Sequence, residues 1–533
     1  MTRAANPSTE AARALVDALI FHGVQRVVLS PGSRSAPLAY ALARAESRGR
    51  IEVHVRIDER VAAFTALGLA RFGPAAVVTT SGTATANLHP ALLEARHSGL
   101  GLLAITADRP HELRGVGANQ TTDQLHMFGP HIPAVEIPAG STRAAIGNQA
   151  ARVLAQATGA FGPPGPVHVN IAFREPLVPG DGGGEDEAPI APGPRVRVRR
   201  VGTGAGEVDL SRPSVVVAGD GAGPEAARFA EAAGLPLLAE PSSGARGGAN
   251  AIGPYQRMLP ALAGEVAQVI VYGRPTLSRP VSGLLANTEH VTVVADHPEW
   301  VDVSGRAEQI VAGVTAAGDA DPRWLARWRD REREVAQEEA ARAGLAARVL
   351  AHALGYGQIQ TMIGSSMAIR HADIHGPVGE AYTRAPVYSA RGLAGIDGTI
   401  ATASGIGLAS GPIRVITGDL TFAHDVGALA LGPGERAAEL QVVVLNDGGG
   451  GIFANLEHGE ERYAATFDRY FATPVALVVE HIAAAYGYEY RKITDPARLP
   501  EALTPRIEGR SIVEVQLPPV SGDSQKPSRN VSA

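Results

Sequence analysis

The chain has 533 residues, enough for about three domains of ordinary size. Hydrophobic residues make up 45% and charged residues 19%, values typical of a globular protein with packed cores. The formal net charge of −6 argues against nucleic acid or an anionic membrane surface as a dedicated partner. The absence of cysteine excludes disulfides, thiolate nucleophiles and Cys-ligated metals, and it fits a cytoplasmic location. No apolar run reaches the roughly 18 residues of a membrane span, so we expect no integral membrane segment.

The first 180 residues alternate helices with apolar strands. Asn6 followed by Pro7 is a typical helix start and predicts a helix over 7–21. Strands that are apolar throughout and separated by helices are typical of a parallel sheet covered on both faces. The pattern predicts strands at 26–30, 52–57, 75–80, 100–106 and 166–171, with helices near 36–46, 59–71, 84–96 and 143–158.

The rest of the chain repeats this alternation twice. The composition predicts, in order, a linker at 181–212, an α/β domain at 213–320, a charged connecting helix at 321–347, a further α/β domain at 348–518 and a disordered tail at 519–533. We therefore predict an α/β protein with three doubly wound parallel-sheet domains, the first of which spans 1–180.

The strongest chemical signal lies in the last of these domains. The predicted strand 413–417 ends at Gly418-Asp419, and the predicted strand 441–446 ends at Asn446-Asp447, followed by four glycines. Adjacent parallel strands would bring these oxygen ligands together at the carboxyl edge of the sheet, where open α/β sheets bind ligands. Oxygen ligands without His or Cys suit Mg²⁺, and glycines allow the backbone to approach a diphosphate closely.

A weaker glycine motif occurs in the middle domain. Gly219-Asp220-Gly221-Ala222-Gly223 follows a predicted strand and resembles a dinucleotide-binding loop. The position of the third required glycine is Pro224, so we favour an ordinary strand-to-helix turn. Only Lys492 and Lys526 are lysines, and anion recognition therefore falls mainly to arginine.

The paired motif resembles the signature of thiamine-diphosphate enzymes, which consist of a pyrimidine-binding, a central and a diphosphate-binding domain. A narrower resemblance, from residue 7 to about 516, is to the 2-succinyl-5-enolpyruvyl-6-hydroxy-3-cyclohexene-1-carboxylate synthase family of menaquinone biosynthesis. The segments that carry it are VLSPGSRS (28–35), RIDER (56–60), ADRPHELRGVGANQ (107–120), SARGLAGIDG (389–398) and GDLTFAHD (418–425).

This resemblance implies thiamine diphosphate as cofactor, with Mg²⁺ or Mn²⁺. Asp419, Asp447 and the carbonyl of Gly449 would hold the metal. Asn446 is the alternative ligand, because counting forward from Asp419 favours Asn446 and counting back from Ile452 favours Asp447. Glu59, which by itself would be an ordinary acidic helix start, would contact the pyrimidine ring. The full cofactor-binding set is Glu59, Ile396, Gly418, Asp419, Leu420, Asn446, Asp447, Gly448, Gly449, Gly450 and Ile452.

The resemblance also implies a transferase reaction. 2-Oxoglutarate would be decarboxylated, and the resulting succinyl carbanion equivalent would add to isochorismate. Both substrates carry two carboxylates, which arginine forks bind well. The implied catalytic residues are Ser33, Arg34, Glu59, Arg109, Gln120, Ser366, Arg370, Arg391, Phe453 and Leu456, with Arg279 left undecided. The family further implies a homodimer or homotetramer whose active site lies between subunits.

Three alternatives stay open on the residues alone. Another thiamine-diphosphate enzyme would act on a monocarboxylate and would not need so many cleft arginines. A non-catalytic regulatory protein whose α/β domains have lost their activity would keep its measurable properties when Glu59 is replaced. An oxidoreductase that uses residues 219–223 would bind a nicotinamide or flavin tightly.

Overall fold

The computed structural model of the protein describes residues 6–160, 162–180, 204–295, 299–355, 358–503 and 506–519. Residues 520–533 of the predicted tail and most of the predicted linker lie outside these residues. The described chain forms two compact units. The first unit contains the residues up to 180 together with Asp397–Gly411 and Asp425–Ala438, and the second contains the remainder.

The first unit is built on a six-stranded parallel sheet with a core of aliphatic side chains such as Val27, Ile105 and Val169. Across the sheet the strands are Glu52–Val55, Arg26–Leu29, Ala75–Thr79, Leu102–Asp108, Val167–Ala172 and Ala134–Ile137. The helices are Pro7–Phe21, Ala36–Glu46, Glu59–Leu69, Thr83–Ala86, His89–Ser98, Arg143–Ala157 and Thr399–Ser410.

The second unit contains three parallel sheets. A five-stranded sheet has the order Ala307–Val311, His290–Val294, Gln268–Tyr272, Ser214–Ala218 and Leu237–Ala239. A small sheet pairs Gly313–Ala317 with Ala205–Asp209. A six-stranded sheet has the order Val387–Tyr388, Gln360–Ile363, Ile413–Gly418, Leu440–Asn446, Arg510–Gln516 and Glu489–Ile493.

The helices of the second unit vary widely in length. The α-helices are Pro224–Ala232, Tyr255–Leu262, Arg279–Asn287, Pro322–Arg342, Leu345–Gly355, Met367–His375, Asp419–His424, Ala464–Phe467, Val479–Ala485 and Leu499–Ala502. Tighter 3₁₀ turns at Gly451–Asn455, Glu457–Gly459 and Glu461–Tyr463 follow the glycine run, and a π-helical turn forms at Asp468–Ala472.

The predicted α/β class with doubly wound parallel sheets is confirmed. The first helix begins as predicted, because the side chain of Asn6 accepts hydrogen bonds from the backbone N–H of Ser8 at 3.0 Å and of Thr9 at 3.4 Å. The predicted connecting helix is instead two helices, since Ala343 is extended and ends the first of them. Strands at 134–137 and 489–493 were not predicted, because they lie at sheet edges and mix polar with apolar residues.

Two helices of the first unit pack with their backbones in close contact. A Cβ atom at Gly68, in helix Glu59–Leu69, would lie 2.2 Å from the carbonyl oxygen of Thr402. A Cβ at Gly405, in helix Thr399–Ser410, would lie 2.0 Å from the carbonyl oxygen of Thr65. Only glycine fits at both crossing points, and this contact fixes the helix that begins with Glu59.

None of the helices in the described part of the chain combines the length and the hydropathy needed to cross a bilayer.

Candidate active site

The carboxylates of the predicted metal site lie at the ends of neighbouring strands. Strands Ile413–Gly418 and Leu440–Asn446 pair in parallel, with Gly418 opposite Leu445, so Asp419 and Asn446 leave the sheet at the same edge. Asp419 is buried; its Oδ1 accepts a hydrogen bond from the backbone N–H of Leu420 at 2.8 Å. Its buried Oδ2 has no hydrogen-bond partner among the described residues. An unsatisfied buried carboxylate oxygen is a fitting ligand for a divalent cation.

The electrostatics of this edge also fit a cation. Burial raises the pKa of Asp447 to about 6, and the charge of Asp419 adds to that shift. Burial likewise raises the pKa of Asp419, against the effect of backbone N–H groups at Leu420, Gly448 and Gly449. Two carboxylates that disfavour each other's charge would both be stabilised by one divalent ion between them.

The choice between Asn446 and Asp447 has a structural basis. The side-chain amide of Asn446 donates to Glu514 Oε1 at 2.7 Å, and its oxygen accepts from the backbone N–H of Gly448 at 3.2 Å. Both polar ends of Asn446 are therefore held by the protein, although its oxygen, like the Gly449 carbonyl, keeps a second lone pair. A carboxylate is the better ligand for Mg²⁺, and this favours Asp447 as the second ligand. The carbonyl of Gly449 accepts from the backbone N–H of Gly451 at 3.0 Å and keeps a second lone pair for a metal.

Two glycines of the run after Asp447 are required for packing within the chain, in addition to any contact with a ligand. A Cβ at Gly449 would lie 2.7 Å from the carbonyl oxygen of Ala472, and one at Gly450 would lie 2.8 Å from that of Phe471. At these two positions the close approach that glycine permits is to the chain's own backbone. Gly448, with φ of +76°, supplies the left-handed turn between the strand and this contact.

Three of the apolar residues predicted to line the cofactor or substrate directly follow the glycine run, and the fourth is Ile396. Ile396 is partly exposed, at 37%. Ile452 and Phe453 belong to the turn Gly451–Asn455, and Leu456 follows it; all three are half-buried. The ring of Phe453 packs against that of Phe471 with centroids 6.0 Å apart.

Arg370 and Arg391 of the second unit lie near enough for their charges to interact, and neither forms an ion pair with a described carboxylate. Nη1 of Arg370 donates to the carbonyl oxygen of Ser366 at 3.0 Å. Burial lowers the pKa of Arg370, and the charge of Arg391 lowers it further. Within the described chain neither guanidinium forms an ion pair. Neighbouring cations that lack a carboxylate are a favourable site for an anionic ligand. Arg279, by contrast, is exposed and pairs with Glu457 at 3.1 Å.

The first unit contains a second pair of arginines. Nη1 of Arg109 donates to the carbonyl oxygen of Gln120 at 2.8 Å and also contacts the hydroxyl of Ser81. Burial lowers the pKa of Arg109, and the charge of Arg34 lowers it further. Nη1 of Arg34 donates to the carbonyl oxygen of Phe173 at 3.1 Å. Neither arginine forms an ion pair with a described residue.

Gln120 is held in a strained conformation beside this pair. Its φ is +56°, a value that residues other than glycine seldom adopt. Its side chain donates to the carbonyl oxygen of Ser81 at 2.7 Å. Ser81 was not predicted as a site residue, although its place directly before a glycine at the end of a strand was a usable signal. Ser33 is exposed, in the turn beside Arg34.

Glu59 is the first residue of its helix. Asp58 caps that helix by accepting from the backbone N–H of Arg60 at 2.8 Å and of Val61 at 3.1 Å. The carboxylate of Glu59 is half-buried and has no hydrogen-bond partner among the residues that the structure describes. It is therefore available to a ligand. Glu59 and Asp419 belong to different units.

Comparisons with known proteins show the family of the chain. Residues 9–127 match the family model described as "Thiamine pyrophosphate enzyme, N-terminal TPP binding domain". A 2-succinyl-5-enolpyruvyl-6-hydroxy-3-cyclohexene-1-carboxylate synthase from Paenarthrobacter aurescens is 46% identical over 96% of this chain and 94% of its own length. Proteins of the same name from Kineococcus radiotolerans, 45% identical over 96% of each chain, and Mycobacterium marinum, 41% identical over 96% of this chain and 97% of its own, also match. Such identity over nearly the whole chain makes the protein an enzyme of the 2-succinyl-5-enolpyruvyl-6-hydroxy-3-cyclohexene-1-carboxylate synthase family, within the thiamine-diphosphate enzymes.

Proposed function

We propose that the protein decarboxylates 2-oxoglutarate with thiamine diphosphate and adds the remaining succinyl unit to isochorismate, in menaquinone biosynthesis. The family of its relatives supports the reaction. The single structural observation that carries the choice of substrates is the pair of unpaired arginines in each unit, Arg34 with Arg109 and Arg370 with Arg391. Four guanidinium groups that form no ion pair with a described carboxylate suit two dicarboxylates, and so many would be superfluous for pyruvate.

In this proposal the carboxyl edge of the second unit holds the diphosphate end of the cofactor. Asp419, Asp447 and the Gly449 carbonyl bind Mg²⁺ or Mn²⁺, and Asn446 supports the turn through Glu514. Gly418, Leu420, Gly448, Gly450 and Ile452 would complete the cofactor contacts, and the apolar side chain of Ile396 would pack against the cofactor. When bound, the cofactor stabilises the negative charge that decarboxylation of a 2-oxo acid develops.

The chain's own side chains then orient the substrates and the cofactor. Glu59, at the start of its helix, would hydrogen-bond the pyrimidine ring of the cofactor or transfer a proton to it. Ser33, Gln120 and Ser366 supply neutral hydrogen bonds beside the arginines. Phe453 and Leu456 form an apolar wall that excludes water. Arg279 keeps a structural role through Glu457.

We also propose a homodimer or homotetramer in which neighbouring subunits complete the active site. Ile57, two residues before Glu59, is 77% exposed, and a subunit interface would remove this apolar side chain from water. Sedimentation of the purified protein tests the assembly. A cytoplasmic location stays a prediction that cell fractionation tests.

The decisive experiment compares substrates in the presence of thiamine diphosphate and Mg²⁺. We expect CO₂ release from 2-oxoglutarate to exceed that from pyruvate, and isochorismate absorbance to decrease only when 2-oxoglutarate and the cofactor are both present. The matched control omits the cofactor. Preference for pyruvate would instead favour a monocarboxylate enzyme of the same superfamily, and inactivity with both substrates would refute the proposal.

A further inference from the structure

The glycine turn at 219–223 has a structural role. The backbone N–H of Gly219 donates to the carbonyl oxygen of Tyr272 at 2.9 Å, and a Cβ at Gly219 would lie 2.0 Å from the carbonyl carbon of Arg274. Asp220 and Arg274 exchange two backbone hydrogen bonds, of 3.1 and 2.9 Å. The turn thus packs against the backbone of residues 272–274, and Gly219 makes this contact instead of facing a ligand. It anchors the loop that follows strand Gln268–Tyr272.

This anchored loop reaches Arg391, one of the four arginines assigned above to substrate binding. Nη2 of Arg391 donates to the hydroxyl of Thr276 at 3.1 Å. Nη1 of Arg274 donates to the carbonyl oxygen of Gly392 at 3.3 Å. Arg391 is only 5% exposed, and its Nε has no hydrogen-bond partner within the described residues. One edge of the guanidinium is therefore fixed by the loop, while another donor stays free.

The far end of the loop is fixed by a buried acid. Glu240, directly after strand Leu237–Ala239, accepts a hydrogen bond from the backbone N–H of Leu277 at 2.9 Å through Oε1. Because Leu277 follows Thr276, this bond restrains the hydroxyl that contacts Arg391. Oε2 of Glu240 is buried and has no hydrogen-bond partner in the described chain.

Glu240 can hold the loop without forming an ion pair with Arg391, because its carboxyl group is mostly protonated. Burial raises the pKa of Glu240 to about 8; Asp373 and Asp220 raise it, while the Leu277 N–H and the charge of Arg391 lower it. At neutral pH the carboxyl group is therefore mostly uncharged. An uncharged Glu240 does not neutralise Arg391, whose full charge remains for a ligand carboxylate.

We propose that Thr276, restrained by Glu240, is a positioning residue that orients the guanidinium of Arg391 toward a substrate carboxylate. Thr276 and Glu240 belong to the predicted central domain. This domain thereby contributes to substrate recognition without contacting the substrate. The inference deepens the proposed function and rests on it, because the role of Arg391 is assigned there.

The test compares three variants of the full-length protein: Thr276→Val, Thr276→Ser and the control Thr315→Val. Thr315 is also an exposed threonine of the second unit, and its hydroxyl donates to Gly206 at 3.3 Å. Loss of a hydrogen bond to a charged group predicts that Thr276→Val raises the KM of one dicarboxylate substrate about tenfold. Thr276→Ser should restore it, and kcat should change less than twofold. Because Thr276 is itself exposed but partners the buried Arg391, the unfolding temperature should fall by at most a few degrees in Thr276→Val and stay unchanged in the other two variants.

A double-mutant cycle separates positioning from a general structural effect. In an Arg391→Ala background, Thr276→Val should have no further effect on KM, because the group through which it acts is gone. An undiminished effect in that background, or an unchanged KM for Thr276→Val in the wild-type background, would overturn the proposal. Glu240→Gln, which keeps the acceptor for Leu277, should behave as wild type, whereas Glu240→Ala should resemble Thr276→Val.

Hydrogen exchange gives a readout that does not depend on activity. Amides of residues 391–395 should exchange faster in Thr276→Val than in Thr276→Ser, while peptides from the first unit remain unchanged. If the wild-type protein fails to act on 2-oxoglutarate and isochorismate, the proposed function is refuted. Equal exchange in the two Thr276 variants refutes the positioning role whatever the activity.

Discussion

Replacement of Gly405 by alanine tests the helix contact that holds Glu59 in place. The new Cβ would lie 2.0 Å from the carbonyl oxygen of Thr65 and 3.1 Å from the Cα of Gly68. A carbon and a carbonyl oxygen approach to about 3.3 Å at closest, so the helices must separate by about 1.3 Å. No rotamer change relieves this clash, because the atoms in contact belong to the backbone.

The expected cost follows from two opposing effects. Overpacking of this kind costs about 1–3 kcal/mol, and the gap it opens weakens dispersion contacts along both helices. Replacing a helical glycine by alanine stabilises the folded state by about 0.5–1 kcal/mol, because the unfolded chain loses backbone freedom. We expect a net loss of about 1 kcal/mol, which corresponds to a decrease of roughly 2–4 °C in the unfolding temperature for a unit of about 150–250 residues. Because the displaced helix begins with Glu59, kcat should also fall.

The matched control is Gly283→Ala. Gly283 lies in helix Arg279–Asn287, and a Cβ there would meet no atom within 4 Å. The same substitution should therefore leave stability unchanged or raise it slightly. Differential scanning calorimetry and urea titration of both variants measure the difference. Equal unfolding temperatures for the two variants would refute the claim that the helices are in contact through their backbones.

Three further predictions address the site and its surroundings. Glu59→Gln should lower kcat at least about 100-fold in the coupled assay without changing the unfolding temperature, and wild-type kcat would remove Glu59 from the mechanism. Asp419→Ala should abolish the thermal stabilisation by thiamine diphosphate with Mg²⁺, whereas the exposed-site control Asp330→Ala should keep it. Burial lowers the pKa of His168 from 6.5 to about 4. Between pH 6.5 and 4 the unfolded chain therefore binds more protons than the folded chain. The free energy of unfolding should fall as the pH falls through that range. His168→Gln should flatten this dependence in urea titrations by about 3 kcal/mol over the interval, and an identical pH profile would contradict the assignment.

Sequence alone determined the fold class and the position of the principal motif. Apolar strands such as Leu440–Asn446 are buried along their whole length, and a run of buried residue types bounded by turn residues is a local signal. That strands Ile413–Gly418 and Leu440–Asn446 end at one edge was likewise predictable, because parallel strands end at the same edge of their sheet. Spacing alone could not choose between Asn446 and Asp447.

Tertiary structure decided the rest, because the deciding partners are distant in sequence. Glu514, which occupies the amide of Asn446, is 68 residues away, and Thr276, which holds Arg391, is 115 residues away. Helix Thr399–Ser410 is buried on nearly every side, so no amphipathic face indicated that it packs on the helix of Glu59. Local sequence governs backbone conformation and burial, but which side chains meet depends on the path of the whole chain.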